Sequence, residues 1–326
     1  MLAAYRLTEK GPDPAAPEDG DGVAAGAIWV DALQPSPAEE KAVEAFLGAG
    51  LPTREETQEI EFSSRFYAED GAVYMTASLL TGVDLGKPAL APFTIVVAGD
   101  RMVTLRYDDL RALRQFLARA GKPGSGCVST PAVFLGLIEA IVDRTADVLE
   151  RISADVDRIN QEIFARQSDH PRHRGRGLES VIGAIGVQGD LAAKSRESLA
   201  SLERLAQFAG LALPPAFGKG ANKNRLKLVQ RDIRSLEDHV SFLSNKITFL
   251  LDATLGLISV QQNEVIRVLT VAATIFFPPT LIGTIYGMNF AGMPELTWTL
   301  GYPFALFLMA LSAILPYLYF KRRGWL

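Results

Sequence analysis

The chain of 326 residues carries 33 Lys and Arg against 37 Asp and Glu, a formal net charge of −4. That near balance offers no basic stripe for a nucleic-acid partner. The single cysteine, Cys127, excludes an intramolecular disulfide and a cysteine-based metal site within one chain, and it suits a reducing compartment.

The N-terminus, Met1 to Arg6, lacks the apolar run of a signal peptide, so the large N-terminal part is expected in the cytoplasm. Residues 9 to 22, rich in Pro, Gly and Asp, read as a loop, with the folded chain resuming at Ala27. Ile28 to Asp31 reads as a buried strand. The helix over Ser36 to Leu47 starts from a Ser N-cap with Pro in the first turn. Asp70-Gly71 joins Arg65–Ala68 to Ala72–Leu80, and Gly99-Asp100 joins Phe93–Ala98 to Arg101–Tyr107, as two hairpins. Strands mixed with short helices predict an α+β cytosolic domain over residues 1–125, closed by a Gly/Pro-rich linker.

The hydrophobic period then changes. Phe134, Ile138, Ile141, Thr145, Val148, Ile152, Asp155, Ile159 and Ile163 recur at spacings of three and four, predicting a long helix with one buried seam. A break at Ser168–Gly177 precedes a second helix from about Leu178 to Ala209, so residues 126–222 form a helical hairpin region. His170 and His173 fall in that break around Pro171, where a solvated loop is the better reading than a metal pair. His239, alone on the next helix, reads as structural. Over residues 223–267 a stalk helix carries Val229, Ile233, Leu236, Val240, Leu243, Ile247 and Leu250. Without a Gly-Pro break it is expected to continue into the apolar segment beyond; a coiled-coil stalk is equally compatible with the seam.

Two charge-free apolar segments follow, 268–287 and 302–320, separated by the loop 288–301 and followed by the basic tail 321–326. At a rise of about 1.5 Å per residue each spans roughly 30 Å, the thickness of a bilayer's hydrocarbon core. Arg267 and Lys321-Arg322-Arg323 flank the pair, whereas the loop holds one acid, Glu295, and no base. The positive-inside tendency places both ends in the cytoplasm and the loop outside.

One hairpin cannot enclose a polar path, so any pore requires several copies about an axis. On the first span Asn263, Ile266, Thr270, Ala273, Phe277, Thr280, Thr284 and Gly287 follow helical spacing and gather most of its polar groups. This stripe lines a pore, or its threonines bond their own backbone and pack on neighbours. Pro278-Pro279 frees backbone carbonyls near Thr274 and Ile275. Neither span contains Asp, Glu, His or Lys, which argues against a proton-coupled carrier. No phosphate-binding Gly-x-x-x-x-Gly-Lys-Ser/Thr loop and no nucleophile–base constellation is present, so the sequence supports neither an ATPase nor another enzyme, and no cofactor is expected.

The segment Tyr286-Gly287-Met288-Asn289-Phe290, followed by Met293-Pro294-Glu295-Leu296, resembles the signature of the CorA family of divalent-cation channels, in its proteobacterial form. Asn263–Thr270 is similar to the family's inner pore entrance and Pro316–Leu326 to its terminus. Met1–Tyr5, Trp29-Val30-Asp31 and Pro52–Glu61 resemble proteobacterial members, so the likeness covers nearly the whole chain.

The resemblance implies a funnel-shaped homopentamer in the bacterial inner membrane. The first span would line the pore and the second lie outside it, conducting Mg²⁺ and also Co²⁺ and Ni²⁺ down the membrane potential. Gly287, Met288 and Asn289 would select the ion at the outer mouth. Asn263, Ile266, Leu269, Phe277 and Thr280 would face the pore, with Ile266 and Leu269 as a hydrophobic constriction. Phe277 stands where relatives often carry Met. The family's regulatory Mg²⁺, bound by acids between cytosolic domains, has candidate ligands here in Asp232 and Asp252, with Glu237 and Asp238 nearby. The basic tail either sets the field at the inner entrance or anchors to anionic lipid. Two rivals remain: a zinc transporter of the same superfamily, disfavoured by the intact Gly-Met-Asn, and a membrane-tethered coiled-coil scaffold.

Overall fold

The computed structural model describes residues 1–9, 11–15, 22–59, 61–122, 126–165, 174–217, 219–288, 292–293 and 298–325. The chain divides into two compact units, one of Met1–Gln167 with Ile182–Leu250, the other of Ser168–Val181 with Leu251–Leu326.

The first unit holds a seven-stranded mixed sheet: β1 (Leu2–Thr8), β2 (Gly11–Ala15), β3 (Trp29–Leu33), β4 (Phe66–Glu69), β5 (Ala72–Thr81), β6 (Ala89–Ala98) and β7 (Arg101–Arg106). The strand order is β2-β1-β3-β7-β6-β5-β4, and β3 with β7 is the parallel pair. Both predicted hairpins form. Asp70 (φ 50°) and Gly71 (φ 77°) supply the left-handed pair that a two-residue turn needs.

The expected loop over residues 9 to 22 is corrected in part, because Gly11–Ala15 is a strand paired antiparallel with β1, and the fold already begins at Leu2. Pro12 and Pro14 hid this strand from a propensity reading. Two residues apart, they share one orientation, and as the outermost strand β2 can turn their N–H-less nitrogens away from β1.

Helix α1 (Pro37–Leu47) opens on a reciprocal capping box between Ser36 and Glu39. It covers one sheet face, where Val43 and Leu47 join Val30, Tyr74, Val96 and Val103 in a buried cluster. The short helices α2 (Arg54–Gln58) and α3 (Phe62–Arg65) follow it, and α4 (Arg111–Ala120) follows β7. On α4, Phe116 meets the fully buried Trp29 edge-on at 5.9 Å between ring centroids.

A charged network crosses the parallel pair at this buried level. The Asp31 carboxylate accepts from Thr104 Oγ1 at 2.8 Å, from Arg106 Nε at 3.1 Å and from Arg106 Nη2 at 2.8 Å. Trp29 Nε1 donates to the same Thr104 hydroxyl at 3.2 Å. Burial, with the Asp31 charge adding to it, pushes the phenol of Tyr5 above its ordinary range.

Three long helices complete the chain's framework: α5 (Thr130–Ala165), α6 (Arg174–Ala212) and α7 (Gly220–Tyr286). The predicted seam of α5 is buried, with Asp155 partly exposed beside Gln188 Nε2 at 3.1 Å. On α7, Val229, Ile233, Val240, Leu243, Ile247 and Leu250 are buried as predicted. Arg225 forks onto Glu139 of α5 at 2.9 and 2.7 Å.

Helix α6 also solves an edge problem. β4 pairs with β5 only as far as Met75, which leaves the outer N–H groups of Ser78 and Leu80 without a strand partner. Ser201 Oγ accepts from Ser78 N at 2.8 Å and Ser198 Oγ from Leu80 N at 3.3 Å. Ser201→Ala strands a buried N–H, a loss of about 1–3 kcal/mol. The detergent-purified variant should unfold several degrees below wild type in a thermal scan; an unchanged midpoint would mean that the hydroxyl is dispensable.

The second unit contains the C-terminal part of α7 and the helix α8 (Gly301–Arg322). These run antiparallel. A Cβ on Gly283 would lie 3.4 Å from Met309 Cε, while at the other end Arg267 sits over the Trp325 ring at 5.5 Å. Gly324 (φ 69°) reverses the chain after α8, so that Trp325 N donates to Phe320 O at 3.0 Å and the two rings stack at 5.4 Å. In their most apolar windows, of mean hydropathy 1.8, α7 is 6% buried and α8 11%. A core helix of a water-soluble protein would be covered; these need lipid or another chain.

Candidate ion pathway

Helix α7 runs on without interruption from the stalk to Tyr286, as the missing break predicts, and passes through Pro278 and Pro279. All members of the predicted stripe are exposed: Asn263, Ile266, Thr270, Ala273, Phe277, Thr280, Thr284 and Gly287. Ile266 is 59% exposed, Leu269 65% and Phe277 68%, so the residues expected to narrow a pore lie open on the surface of a single chain. Met288 is exposed beside Gly287 at the helix end, where Met288 N donates to Ile285 O at 3.2 Å. Asn289 lies outside the described residues, as do Phe290 and the Pro294-Glu295-Leu296 part of the signature.

The threonines bond their own backbone, one of the two readings that the sequence left open. Thr270 Oγ1 donates to Ile266 O at 2.8 Å, Thr274 to Thr270 O at 2.8 Å, Thr280 to Phe276 O at 2.7 Å and Thr284 to Thr280 O at 2.8 Å. Each hydroxyl proton is thereby committed to the backbone. What remains outward is an oxygen with lone pairs only, which can accept but not donate. A hydrated dication presents the opposite chemistry, a shell of polarised water O–H donors. The stripe's threonine oxygens are acceptors, the complement of such a shell.

The predicted regulatory acids are less distinctive. Asp232, Asp238 and Asp252 are exposed, and no group of three or more His, Cys, Asp or Glu able to hold a metal occurs among the described residues. Among the described residues of one chain, neither Asp232 nor Asp252 is brought into such a group. Glu237 is half-buried, and desolvation followed by the neighbouring Glu203 raises its carboxyl above the usual range. His239 stacks on Phe242 at 6.4 Å, a structural contact, while His170 and His173 lie outside the described residues. In the basic tail, Lys321 sits over the Tyr317 ring at 5.9 Å and Arg323 over Tyr319 at 5.4 Å. The contact of Arg267 with Trp325 was not foreseen; its only sequence signal is the Gly-Trp pair just beyond a helix end.

The sequence profile of the family described as "CorA-like Mg2+ transporter protein" matches residues 24–322. The chain belongs to the CorA family. Its CorA relatives include the "Magnesium transport protein CorA" of Pasteurella multocida (strain Pm70), 33% identical over 301 residues and covered over 92% of each chain. The protein of the same name from Escherichia coli (strain K12) is 32% identical over 302 residues, again 92% of each. The complete structure of the CorA magnesium transporter from Methanocaldococcus jannaschii matches 100% of this chain and 99% of its own, with a TM-score of 0.77 at 16% identity. That likeness establishes the fold: a CorA α+β domain, long helices and two C-terminal apolar helices. CorA proteins are transporters, so an enzymatic reading has no place.

Proposed function

We propose that this CorA-family chain carries Mg²⁺ across the bacterial inner membrane as a homopentameric channel, and that Co²⁺ and Ni²⁺ follow the same path. The exposed stripe on α7, whose threonine hydroxyls turn their protons to the backbone and leave acceptor oxygens outward, is the observation that carries the reading, together with two relatives that are magnesium transport proteins. With one α7 from each copy around an axis, the stripe would become a ladder of neutral oxygens. Mg²⁺ gives up its waters reluctantly, so outer-shell contacts can select it while leaving it free to move on.

Asn289 amides would form the outer filter beside Gly287 and Met288. Asn263 would stand at the inner entrance, Ile266 and Leu269 would form the dry constriction, and Phe277 and Thr280 would line the middle. Both termini would lie in the cytoplasm. The membrane potential drives the ion, with about 4.6 kcal/mol available to a divalent ion at 100 mV. Regulation by intracellular Mg²⁺ would act through acids such as Asp232 and Asp252, each facing a neighbouring copy.

The test is ion uptake by proteoliposomes of the purified protein with an inside-negative potential, Mg²⁺ outside and Zn²⁺ as competitor. Mg²⁺ should enter, and equimolar Zn²⁺ should leave most of that entry intact. Preferred entry of Zn²⁺ would support the zinc reading. No entry by well-folded protein, even with internal Mg²⁺ removed, would leave the scaffold.

A further inference from the structure

Proline has no N–H, so Pro278 and Pro279 cannot donate to the carbonyls four residues earlier, those of Thr274 and Ile275. Neighbouring carbonyls are in the opposite position: those of Thr270 and Phe276 each gain a threonine hydroxyl at 2.8 and 2.7 Å. The two freed carbonyls are not equivalent. At about 100° per residue, Thr274 lies roughly 40° from Thr270 around the helix, at the margin of the stripe, whereas Ile275 lies roughly 140° away. Thr274 is exposed and Ile275 half-buried.

We infer that the Thr274 main-chain carbonyl is a binding site for a hydrated divalent cation in the middle of the span, one oxygen from each copy. This rests on the reading of α7 as the pore helix. An amide oxygen relieved of its helical donor is a strong neutral acceptor, and inside a membrane it must find a partner. The waters around a dication are suitable donors. The site also strengthens a sparse stretch: Ala273 and Phe277 offer no side-chain acceptor, and the freed carbonyl adds to the Thr274 hydroxyl oxygen, whose proton is on the Thr270 carbonyl. With it, acceptors at 270, 274, 280 and 284 lie about 6 to 9 Å apart along the axis at the helical rise, a spacing that allows an ion to step between sites.

The prolines provide the experiment, because Pro278→Ala restores an N–H aimed at the Thr274 carbonyl without changing a stripe residue. Pro279→Ala does the same for the Ile275 carbonyl, away from the stripe. In the proteoliposome assay Pro278→Ala should lower Mg²⁺ uptake about tenfold and raise the half-saturating Mg²⁺ concentration. Pro279→Ala should stay within about twofold of wild type. Each variant is first shown to elute as the wild-type oligomer; if Pro278→Ala does not assemble, Pro278→Ser restores the same N–H. Equal losses in the two variants, or wild-type uptake by Pro278→Ala, would overturn the site. A wild-type protein that takes up no Mg²⁺ overturns the pore reading itself, an outcome separable from the failure of this site alone.

Discussion

Asn289→Ala should reduce potential-driven Mg²⁺ uptake by more than about a hundredfold while the protein still assembles and inserts. The estimate follows from the chemistry proposed for the outer mouth. An amide oxygen accepting from a water polarised by Mg²⁺ is a hydrogen bond to a charged group, worth about 1.5–3 kcal/mol. Every copy in the ring loses it at once, and about 1.4 kcal/mol is already tenfold. The helix leading to it ends at Tyr286, with Gly287 and Met288 exposed. Asn289→Asp is the informative companion. A carboxylate ring should bind Mg²⁺ more tightly and release it more slowly, so uptake should saturate at lower Mg²⁺ with a lower maximum. Wild-type uptake by Asn289→Ala would remove the amide from the filter.

Asp31→Ala should destabilise the sheet unit by about 3–5 kcal/mol, the range for removing one partner of a buried ion pair. The side chains of Asp31 and Arg106 are 5% and 9% exposed, so loss of the carboxylate leaves a buried guanidinium with only the Asp108 carbonyl at 3.0 Å and the Asp109 carboxylate at 3.9 Å. The damage extends further, since Thr104 Oγ1 loses its acceptor and the Trp29 indole hydrogen bond loses its anchor. The variant should accumulate poorly and unfold well below wild type in a thermal scan of purified protein. Replacing both partners by apolar residues, Asp31→Leu with Arg106→Leu, should recover much of the loss, because no uncompensated charge is then buried. If the single variant falls by less than about 1 kcal/mol, the network is dispensable.

The parts legible in the sequence are those written in local or periodic signals. The 3–4 seams of α5 and α7, the Asp70-Gly71 turn and the Ser36 N-cap each depend on residues close in sequence, and each forms where predicted. The unbroken passage of α7 into its apolar segment was visible as an absence of helix breakers, with Pro278-Pro279 tolerated inside the helix. The exposed stripe was legible for the same reason: helical spacing fixes which residues share a face.

What escaped depends on partners far apart in the chain. β2 carries two prolines and exists because β1 lies beside it. The serines that accept from β5 stand more than a hundred residues away, at |i−j| of 118 and 123. The placing of Trp325 over Arg267 needs both apolar helices folded against each other. The acids proposed for regulation are another matter, since Asp232 and Asp252 are exposed carboxylates that nothing among the described residues distinguishes from a solvated surface.

The central claim is conduction of Mg²⁺ through a ladder of neutral oxygens. Its most direct test is the current reversal potential of the purified protein in a planar bilayer with unequal Mg²⁺ on the two sides. A channel for this ion should carry current that reverses at the Mg²⁺ equilibrium potential, shifting by about 30 mV for each tenfold change in the gradient. A reversal potential indifferent to the Mg²⁺ gradient, or one that follows the pH gradient, would contradict the account.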